Sequence, residues 1–363
     1  MWIYLLLLFV VFILMMISGI YIVKLTHNIT KKYFNSKLLC WLISFIPLLF
    51  FIPGLFIDMV NAIVVDIHLI VIVILTKLMF YIMQKIIKKN VNELIILSCG
   101  VIITSLLLIH AYYLAHHVQK TDYTVYTTKD LGVDNFRIIQ VSDSHLGATM
   151  DGKKFSEYMM EINKLNPDIV VVTGDFVDDD TPYKYMVDGA QGLGVLKTKY
   201  GVYFIYGNHD KGYYNKRSYT DVDIRKELKD NNVTILEDNY IEITDNIILI
   251  GRADAEVKNR VSAEDLTKKI DKNKYIIMLD HQPNDYENEI KAGVDLVLSG
   301  HTHGGQLFPL GQLGLMLGAN DRIYGLEKRD NTTFIVNSGI SDWAIKFKTG
   351  TIAEYSIIDI KRK

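Results

Sequence analysis

Cysteine is nearly absent from this sequence: there are two in 363 residues, Cys40 and Cys99. Both lie inside apolar segments, where packing in a membrane accounts for them, so they do not indicate a redox compartment. No cysteine follows Cys99, which excludes thiolate-ligated metal sites from the rest of the chain.

An excess of charge of either sign is also lacking. The 39 Lys and Arg residues and the 41 Asp and Glu residues give a formal net charge of -2 at pH 7. Because there is no global basic field, a protein whose main role is to grip nucleic acid is disfavoured. The first 117 residues are far more apolar than the remainder, so the chain divides into two parts of different character.

Four apolar runs in the first part are long enough to cross a bilayer as helices, which requires roughly 20 residues. They are Trp2 to Val23, Leu38 to Phe56, Ala62 to Ile87 and Leu94 to Ala115. The first run lacks the basic region and cleavage site of a signal peptide, so we expect it in the mature protein. The third is the weakest, since it carries Asp66, His68 and Lys77. We predict an all-α transmembrane bundle over residues 1–117.

The lysines between these runs predict the topology, because basic connections favour the cytoplasmic side. They lie between runs one and two and between runs three and four: Lys24, Lys31, Lys32, Lys37, Lys85, Lys88 and Lys89. With four spans, the N-terminus and everything after His117 lie outside the cytoplasm. If the third run does not span, the C-terminal part lies in the cytoplasm instead.

After a polar linker at residues 118–134, strand-like and helix-like stretches alternate to the C-terminus. Strands are predicted at Phe136–Val141, Ile169–Val172, Val202–Tyr206, Thr234–Leu236, Ile247–Ile250, Tyr275–Leu279, Val294–Leu298, Thr333–Val336 and Ile352–Ile358. Helices are predicted at Lys153–Leu165, Pro182–Leu196, Asp221–Leu228, Ala263–Ile270 and Asp285–Lys291. The alternation predicts sheets covered by helices, an α/β or layered sandwich architecture, for a domain at residues 135–363.

Metal-binding residue types follow the predicted strands. All histidines after His117 lie at or just beyond strand ends: His145, His209, His281, His301 and His303. Asp143, Asp175 and Asn208 have the same placement, and Asp143 and His145, at i and i+2, would point the same way from one strand. Ligands bind beyond the carboxyl ends of strands in an α/β sheet, so these tips would converge on one crevice. Imidazoles mixed with carboxylates and an amide oxygen suit Mn, Fe or Zn, and we predict a two-metal site.

The blocks that carry this pattern resemble those of the calcineurin-like metallophosphoesterase superfamily, in order and with no ligand position substituted. They are Asp143-Ser144-His145, Gly174-Asp175-Phe176-Val177-Asp178, Gly207-Asn208-His209-Asp210, His281 and Gly300-His301-Thr302-His303. The extension Gly304-Gly305-Gln306 completes a GHTHGGQ motif, which resembles the bacterial membrane-associated or exported branch. The resemblance covers roughly Phe136 to the C-terminus and implies a four-layer α/β/β/α sandwich.

The resemblance also implies two divalent ions as cofactor and a role for each motif residue. The first metal would be held by Asp143, His145 and His303, the second by Asn208, His281 and His301, with Asp175 as the bridge. His209 would be the general acid, oriented by Asp210, and Asp178 would hold a ligand or loop in place. Two such ions stabilise the attacking and leaving oxygens of an in-line displacement at phosphorus.

Two neighbouring segments bear on the substrate. Lys211, Tyr213 and Arg217 follow the acid histidine and are candidates for contact with a phosphate, although an ordinary exposed loop explains them equally well. The apolar segment Leu307 to Leu317 follows the last metal histidine. It is interpreted either as a lip that meets lipid or as a buried strand and turn.

The main hypothesis is a multi-pass membrane protein whose outward-facing domain hydrolyses phosphate mono- or diesters at the membrane surface. A phospholipid or a lipid-linked cell-envelope phosphate is the candidate substrate. The alternative of a nucleotide or nucleic-acid phosphodiesterase is disfavoured by the low net charge and the membrane tether. A catalytically silent sensor or scaffold is a third hypothesis, but such a protein would be expected to have lost metal ligands. The sequence does not select among Mn, Fe and Zn or indicate an oligomeric state.

Overall fold

The computed structural model describes residues 16–17, 19–46, 58–213 and 216–363. The chain forms two compact units, Met1–Ala111 and Tyr112–Lys363. Among the described residues, two helices are long and apolar enough to cross a membrane, α1 (Met59–Ile87) and α2 (Glu93–His116), and α2 ends within the second unit. A shorter apolar helix covers Lys37–Ile46.

α1 and α2 match the positions of the third and fourth apolar runs. The runs Trp2 to Val23 and Leu38 to Phe56 lie partly outside the described residues. The polar residues of the third run are accommodated without interrupting α1, because His68 Nδ1 lies 2.7 Å from the Val64 carbonyl oxygen. Lys77 Nζ donates to the Tyr21 hydroxyl at 3.1 Å.

The second unit is built on two six-stranded sheets, whose orders are β1-β12-β2-β3-β4-β5 and β10-β11-β9-β8-β7-β6. The strands are β1 (Gln119–Thr127), β2 (Asn135–Val141), β3 (Ile169–Thr173), β4 (Val202–Ile205), β5 (Val233–Ile235), β6 (Asn239–Thr244), β7 (Ile247–Gly251), β8 (Tyr275–Leu279), β9 (Leu296–Ser299), β10 (Gly325–Arg329), β11 (Thr332–Val336) and β12 (Glu354–Arg362). The helices are α3 (Gly152–Asn163), α4 (Tyr183–Gly194), α5 (Asp221–Asp230), α6 (Ala263–Thr267), α7 (Tyr286–Lys291) and α8 (Leu310–Met316).

Alternation along the strands distributes apolar side chains between separate cores. In β3, Ile169 and Val171 join a cluster that includes Leu249 and Leu298 of the second sheet, so this core lies between the sheets. Val170 and Val172 join a cluster with residues of α3 and α4, and a third cluster packs the second sheet against α6 and α7. Because both faces of β3 are covered, its sequence is continuously apolar, as is usual for buried parallel strands. The unit has a mixed α/β fold with two sheets.

Three strands and one helix escaped prediction. β1 lies within the stretch predicted as a linker and pairs in parallel with β12, from Gln119 opposite Glu354 to Thr127 opposite Arg362. β6 and β10 are edge strands of the second sheet, and only one strand flanks each of them. α8 occupies the apolar segment after the last motif histidine and contains no buried residue, so the interpretation as a buried strand and turn is wrong.

Candidate metal centre

Six of the predicted ligands form two groups at the carboxyl ends of the central strands. Within each group the ligand atoms lie within 4.8 Å of one another, and the groups are Asp143, His145, His303 and Asp175, His281, His301. The loops that carry them follow β2, β3, β8 and β9. The convergence expected from the strand tips is therefore observed.

Asp175 belongs to the second group and also lies close to the first. Its Oδ2 is 3.1 Å from His281 Nε2 and 3.5 Å from His145 Nε2. The remaining predicted ligand, Asn208, places its Oδ1 at 3.1 Å from His281 Nε2 and 3.0 Å from His301 Nδ1. Two atoms that each lie about 2.1 Å from a shared ion, about 90° apart, are separated by about 3.0 Å. These separations fit donors that share a cation.

Several buried nitrogens in the centre lack partners. Both ring nitrogens of His145 and Nδ1 of His303 have no hydrogen-bond partner among the described residues. Buried polar atoms are rarely left unpaired, and a metal ion would supply a partner for one ring nitrogen of His145. Nδ1 of His303 faces the Asp342 carboxylate at 3.4 Å, which leaves Nε2 of that ring for a metal ion. Burial lowers the pKa of His301 to about 4 and that of His303 to about 3, which keeps these imidazoles in the neutral form that binds metals. The donor set therefore fits divalent metal ions.

The carboxylates attract positive charge. Burial opposes protonation of His281, but Asp175 outweighs it and holds the pKa of His281 well above its ordinary value. Burial likewise opposes ionisation of Asp175, but His281 outweighs it and holds the pKa of Asp175 well below its ordinary value. The crevice thus favours cations, and a metal ion would compete with protons for these donors.

The ligand positions have unusual backbone conformations. Five of the seven predicted ligands have positive φ: Asp143 (50°), His145 (33°), Asp175 (54°), His301 (69°) and His303 (49°). Such residues cluster at functional sites, where the surrounding structure holds them. β2 ends at Val141, so the argument that Asp143 and His145 point the same way through strand alternation is wrong. Turns directly after the strand bring them together.

A backbone carbonyl group orients the ring of His281. Its Nδ1 lies 2.7 Å from the Thr173 carbonyl oxygen, which leaves Nε2 toward Asp175. Such a bond sets the tautomer of a ligating histidine. The contact requires glycine at 174, because a Cβ there would lie 2.6 Å from His281 Nδ1 and Gly174 has a φ of +90°.

Asp210 acts on the backbone and not on the His209 ring. Its carboxylate accepts hydrogen bonds from four backbone N–H groups, those of Asp175 (2.9 Å), Phe176 (2.9 Å), Val177 (3.1 Å) and Gly207 (2.7 Å). The expectation that Asp210 orients His209 is therefore corrected. The Asp210 carboxylate connects the loop after β3 with the loop after β4. Burial lowers the pKa of His209, against the opposing effect of Asp175. The His209 ring lies 5.1 Å from the His145 ring, centroid to centroid, beside the metal-ligand groups.

Asp178 lies where a residue supporting a ligand would be expected. Its Oδ2 is 3.7 Å from His145 Nδ1, and its Oδ1 accepts from the Asp180 N–H at 2.9 Å and from the Thr181 hydroxyl at 3.1 Å. The carboxylate is therefore held in place beside His145.

The three candidates for substrate contact all have protein partners. Tyr213 Oη accepts a hydrogen bond from Asn208 Nδ2 at 2.7 Å, which turns the amide oxygen of Asn208 toward the histidines. Lys211 pairs with Glu237, and Arg217 Nη2 donates to the Asp210 carbonyl oxygen at 2.9 Å. Tyr213 thus positions a predicted ligand, a role that sequence did not indicate.

A buried ion pair that the sequence also did not indicate, Asp342 and Lys348, lies next to His303. Asp342 Oδ1 lies 3.4 Å from His303 Nδ1 and 3.3 Å from Lys348 Nζ, and both Asp342 and Lys348 are fully buried. Burial raises the pKa of Asp342 to about 7, against the lowering effect of Lys348. The available signal was the position of Asp342 shortly after β11, a further strand end of the second sheet.

A buried cluster of imidazoles and carboxylates at the ends of strands in two packed sheets defines an α/β protein with a divalent-metal site. Residues 136–305 match the model of the calcineurin-like phosphoesterase family. An uncharacterized metallophosphoesterase of Aquifex aeolicus is 34% identical over 200 residues, which cover 54% of this chain and 73% of that protein. The chain belongs to the calcineurin-like metallophosphoesterases.

Two vertebrate relatives carry membrane descriptions. A "Transmembrane protein with metallophosphoesterase domain" of Danio rerio is 30% identical over 246 residues, which cover 63% of this chain and 54% of that protein. Its Bos taurus counterpart is 29% identical over 240 residues, which cover 61% of this chain and 52% of that protein. The chain thus spans about half the length of these relatives.

Proposed function

We propose that this chain is a membrane-anchored phosphoesterase with two divalent metal ions, which hydrolyses phosphate mono- or diesters. The observation that carries the proposal is the position of Asp175, whose Oδ2 lies within 3.5 Å of a histidine from each ligand group. A carboxylate in that position can serve both groups.

In this proposal the ligands divide as the family resemblance implies. Asp143, His145 and His303 would hold one ion, Asn208, His281 and His301 would hold the other, and Asp175 would serve both. Ions of the Mn, Fe or Zn type, when bound, stabilise the charge on the attacking and leaving oxygens of the displacement.

The other residues bind, orient and move a proton. His209 donates the proton to the leaving oxygen from a ring beside that of His145, 5.1 Å away between centroids. Asp210 fixes the loops that carry Asp175 and His209, Tyr213 turns the Asn208 amide, and Asp178 supports His145. Lys211 and Arg217 stay candidates for contact with the substrate phosphate. To make that contact, each side chain would have to leave its present partner, Glu237 or the Asp210 carbonyl oxygen.

We further propose a multi-pass membrane protein with the catalytic unit outside the cytoplasm and a phospholipid or lipid-linked envelope phosphate as substrate. α1, α2 and the transmembrane descriptions of the vertebrate relatives support the anchoring. The GHTHGGQ motif supports the bacterial membrane-associated branch. The three apolar clusters support the four-layer α/β/β/α arrangement.

The test uses the purified full-length protein, loaded with Mn and assayed with aryl phosphate mono- and diesters. Asp175→Ala and His209→Ala should abolish turnover, by roughly 10²–10⁴-fold for the proton donor. Asp245→Ala, an exposed aspartate in the β6–β7 turn, is the control that should leave turnover unchanged. Undiminished turnover in the first two variants would refute the assignment, and protease treatment of intact cells tests the side of the membrane.

A further inference from the structure

α8 and its flanks form an apolar patch that the described part of the chain leaves exposed. The patch consists of six large side chains that are each at least 40% exposed: Phe308, Leu310, Leu313, Leu315, Met316 and Leu317. Met316 and Leu317 are the most exposed, at 83% and 85%. No charged residue occurs between His303 and Asp321. Contiguous apolar surface of this kind marks an interaction site, since soluble surfaces rarely leave it open.

The apolar patch borders the candidate metal centre. A cavity of 290 Å³ lies between α8 and the motif histidines, and its lining includes His301, Leu307, Leu310, Ile323 and Ile345. A predicted metal ligand, His301, and a residue of the apolar patch, Leu310, therefore line the same cavity.

The patch also lies at the end of the catalytic unit where α2 enters it. The Leu114 carbonyl oxygen in the last turn of α2 accepts a hydrogen bond from the Ala353 N–H at 2.9 Å. The ring of Tyr112 lies 6.1 Å from that of Phe347. The loop that contains Phe347 thus contacts the end of α2.

The same loop contacts the beginning of the patch. The Thr349 N–H donates to the Gln306 carbonyl oxygen at 2.9 Å, and the Phe308 N–H donates to the Thr349 hydroxyl at 2.9 Å. One short loop therefore connects the last turn of α2 with the first exposed residue of the patch. A bilayer crossed by α2 would end close to the apolar patch.

We propose that the apolar patch inserts into the bilayer leaflet at which α2 ends, so that the cavity beside His301 opens toward lipids that carry a phosphate. The proposal rests on the membrane anchoring proposed above. The leaflet is the occupant that fits, because the patch carries no charge, offers few hydrogen-bonding groups and is tethered to the bilayer by α2. Helices with exposed apolar faces bind the boundary between headgroups and acyl chains in this way.

The test measures the depth of α8 in full-length protein held in phosphatidylcholine nanodiscs. Single cysteines replace Leu313 and Met316 in a background with Cys40→Ala and Cys99→Ala, and each carries a nitroxide label. Val222→Cys is the matched control, because Val222 is apolar, 68% exposed and outside the patch. Relaxation by oxygen and by a water-soluble nickel complex then reports whether each label lies in lipid or in water.

Oxygen should strongly relax the labels on Leu313→Cys and Met316→Cys. Relaxation of these two labels by nickel should be at least tenfold weaker than that of the Val222→Cys label. Nickel accessibility equal to that of the control would overturn the proposal. Protection from both oxygen and nickel would overturn it as well, since that pattern indicates cover by protein. The measurement needs no substrate, and adding Asp175→Ala should leave the depth unchanged, so it is independent of the hydrolytic assignment. Quenching of Met316→Trp by brominated acyl chains provides a second measure of depth.

Discussion

The carboxylate of Asp342 connects a predicted metal ligand to a buried lysine. Its Oδ1 is 3.4 Å from His303 Nδ1 and 3.3 Å from Lys348 Nζ. Asp342→Asn keeps the size of the side chain and removes its charge. We predict two separable losses, one in metal affinity through His303 and one in stability through Lys348.

The loss of stability follows from the unpaired ammonium group. Breaking a buried ion pair by removing one partner costs roughly 3–5 kcal/mol. The lower end is expected here, because Lys348 Nζ also donates to the carbonyl oxygens of Ser338 and Ile352. A domain of this size loses about 2–4 °C in Tm per kcal/mol, so Tm should fall by about 6–12 °C.

The loss of metal affinity follows from the orientation of the ligand. Removing a carboxylate that holds a ligating histidine typically weakens metal binding by about 10–100-fold. Because each factor of ten corresponds to about 1.4 kcal/mol, the expected loss is about 1.4–2.8 kcal/mol of binding free energy. Measurement at pH 8, above the raised pKa of Asp342, keeps its carboxylate mainly ionised in the parent protein.

The assay combines calorimetric titration of metal-free, full-length protein with Mn or Zn and thermal unfolding without metal. The double variant Asp342→Asn/Lys348→Met separates the two effects, because it removes the unpaired charge. It should recover most of the lost Tm while metal affinity stays low. Metal affinity of Asp342→Asn within twofold of the parent value would refute the orientation of His303 by Asp342. Recovery of affinity in the double variant would show that lost stability alone weakened binding.

Two further substitutions test packing and pH dependence. Gly207→Ala should reduce the free energy of unfolding by about 1–3 kcal/mol and lower both Tm and activity, because the new Cβ would lie 2.5 Å from the Asp175 backbone nitrogen. Gly314→Ala, which meets no described atom within 4 Å, should cause no loss of Tm, and equal Tm values for the two variants would contradict this packing. Asp359→Asn should cost less than about 1 kcal/mol at pH 7, because the pair with Arg137 is partly exposed. Arg137 lowers the pKa of Asp359, so the ion pair stabilises the fold at pH values above the ordinary aspartate pKa of about 3.9. This stabilisation is lost as pH falls through the lowered pKa. A difference in stability between Asp359→Asn and the parent protein that persists in stronger acid would contradict this pair as its source.

The ligand positions could be predicted because each follows an apolar run that has few alternatives to a buried strand. Ile169 to Val172 is an example: covered on both faces, it reads as continuously apolar, and Asp175 follows shortly after its end. The edge strands could not be found in this way. β1 exposes one face and alternates Thr with Tyr and Val, and its partner β12 begins at Glu354, more than two hundred residues later. Local pattern carries little information about such a pairing.

The roles of residues next to the ligands depend on turn geometry, which the sequence does not specify. The family resemblance implied that Asp210 orients the His209 ring, yet the turn after β4 directs the Asp210 carboxylate toward backbone N–H groups. Tyr213 and Asp342 belong to none of the motif blocks, and the fold brings them to Asn208 and His303. Apart from Asp178, the side chains that support ligands were therefore identified from the structure, whereas ligand types were identified from the sequence.

The charge balance of the crevice explains why this geometry favours cations. Asp143 and Asp175 are buried, and in the part of the chain that the structure describes, their ion-pair partners are histidines alone. Burying carboxylates without positive charge is costly, and neutral imidazoles do not supply that charge. Since burial holds the pKa of His303 at about 3, this ring stays neutral and adds no positive charge near neutral pH. His281 differs, because Asp175 holds its pKa well above the ordinary value and the protonated ring supplies positive charge. A bound divalent ion would replace that proton, which links the stability of these loops to metal binding.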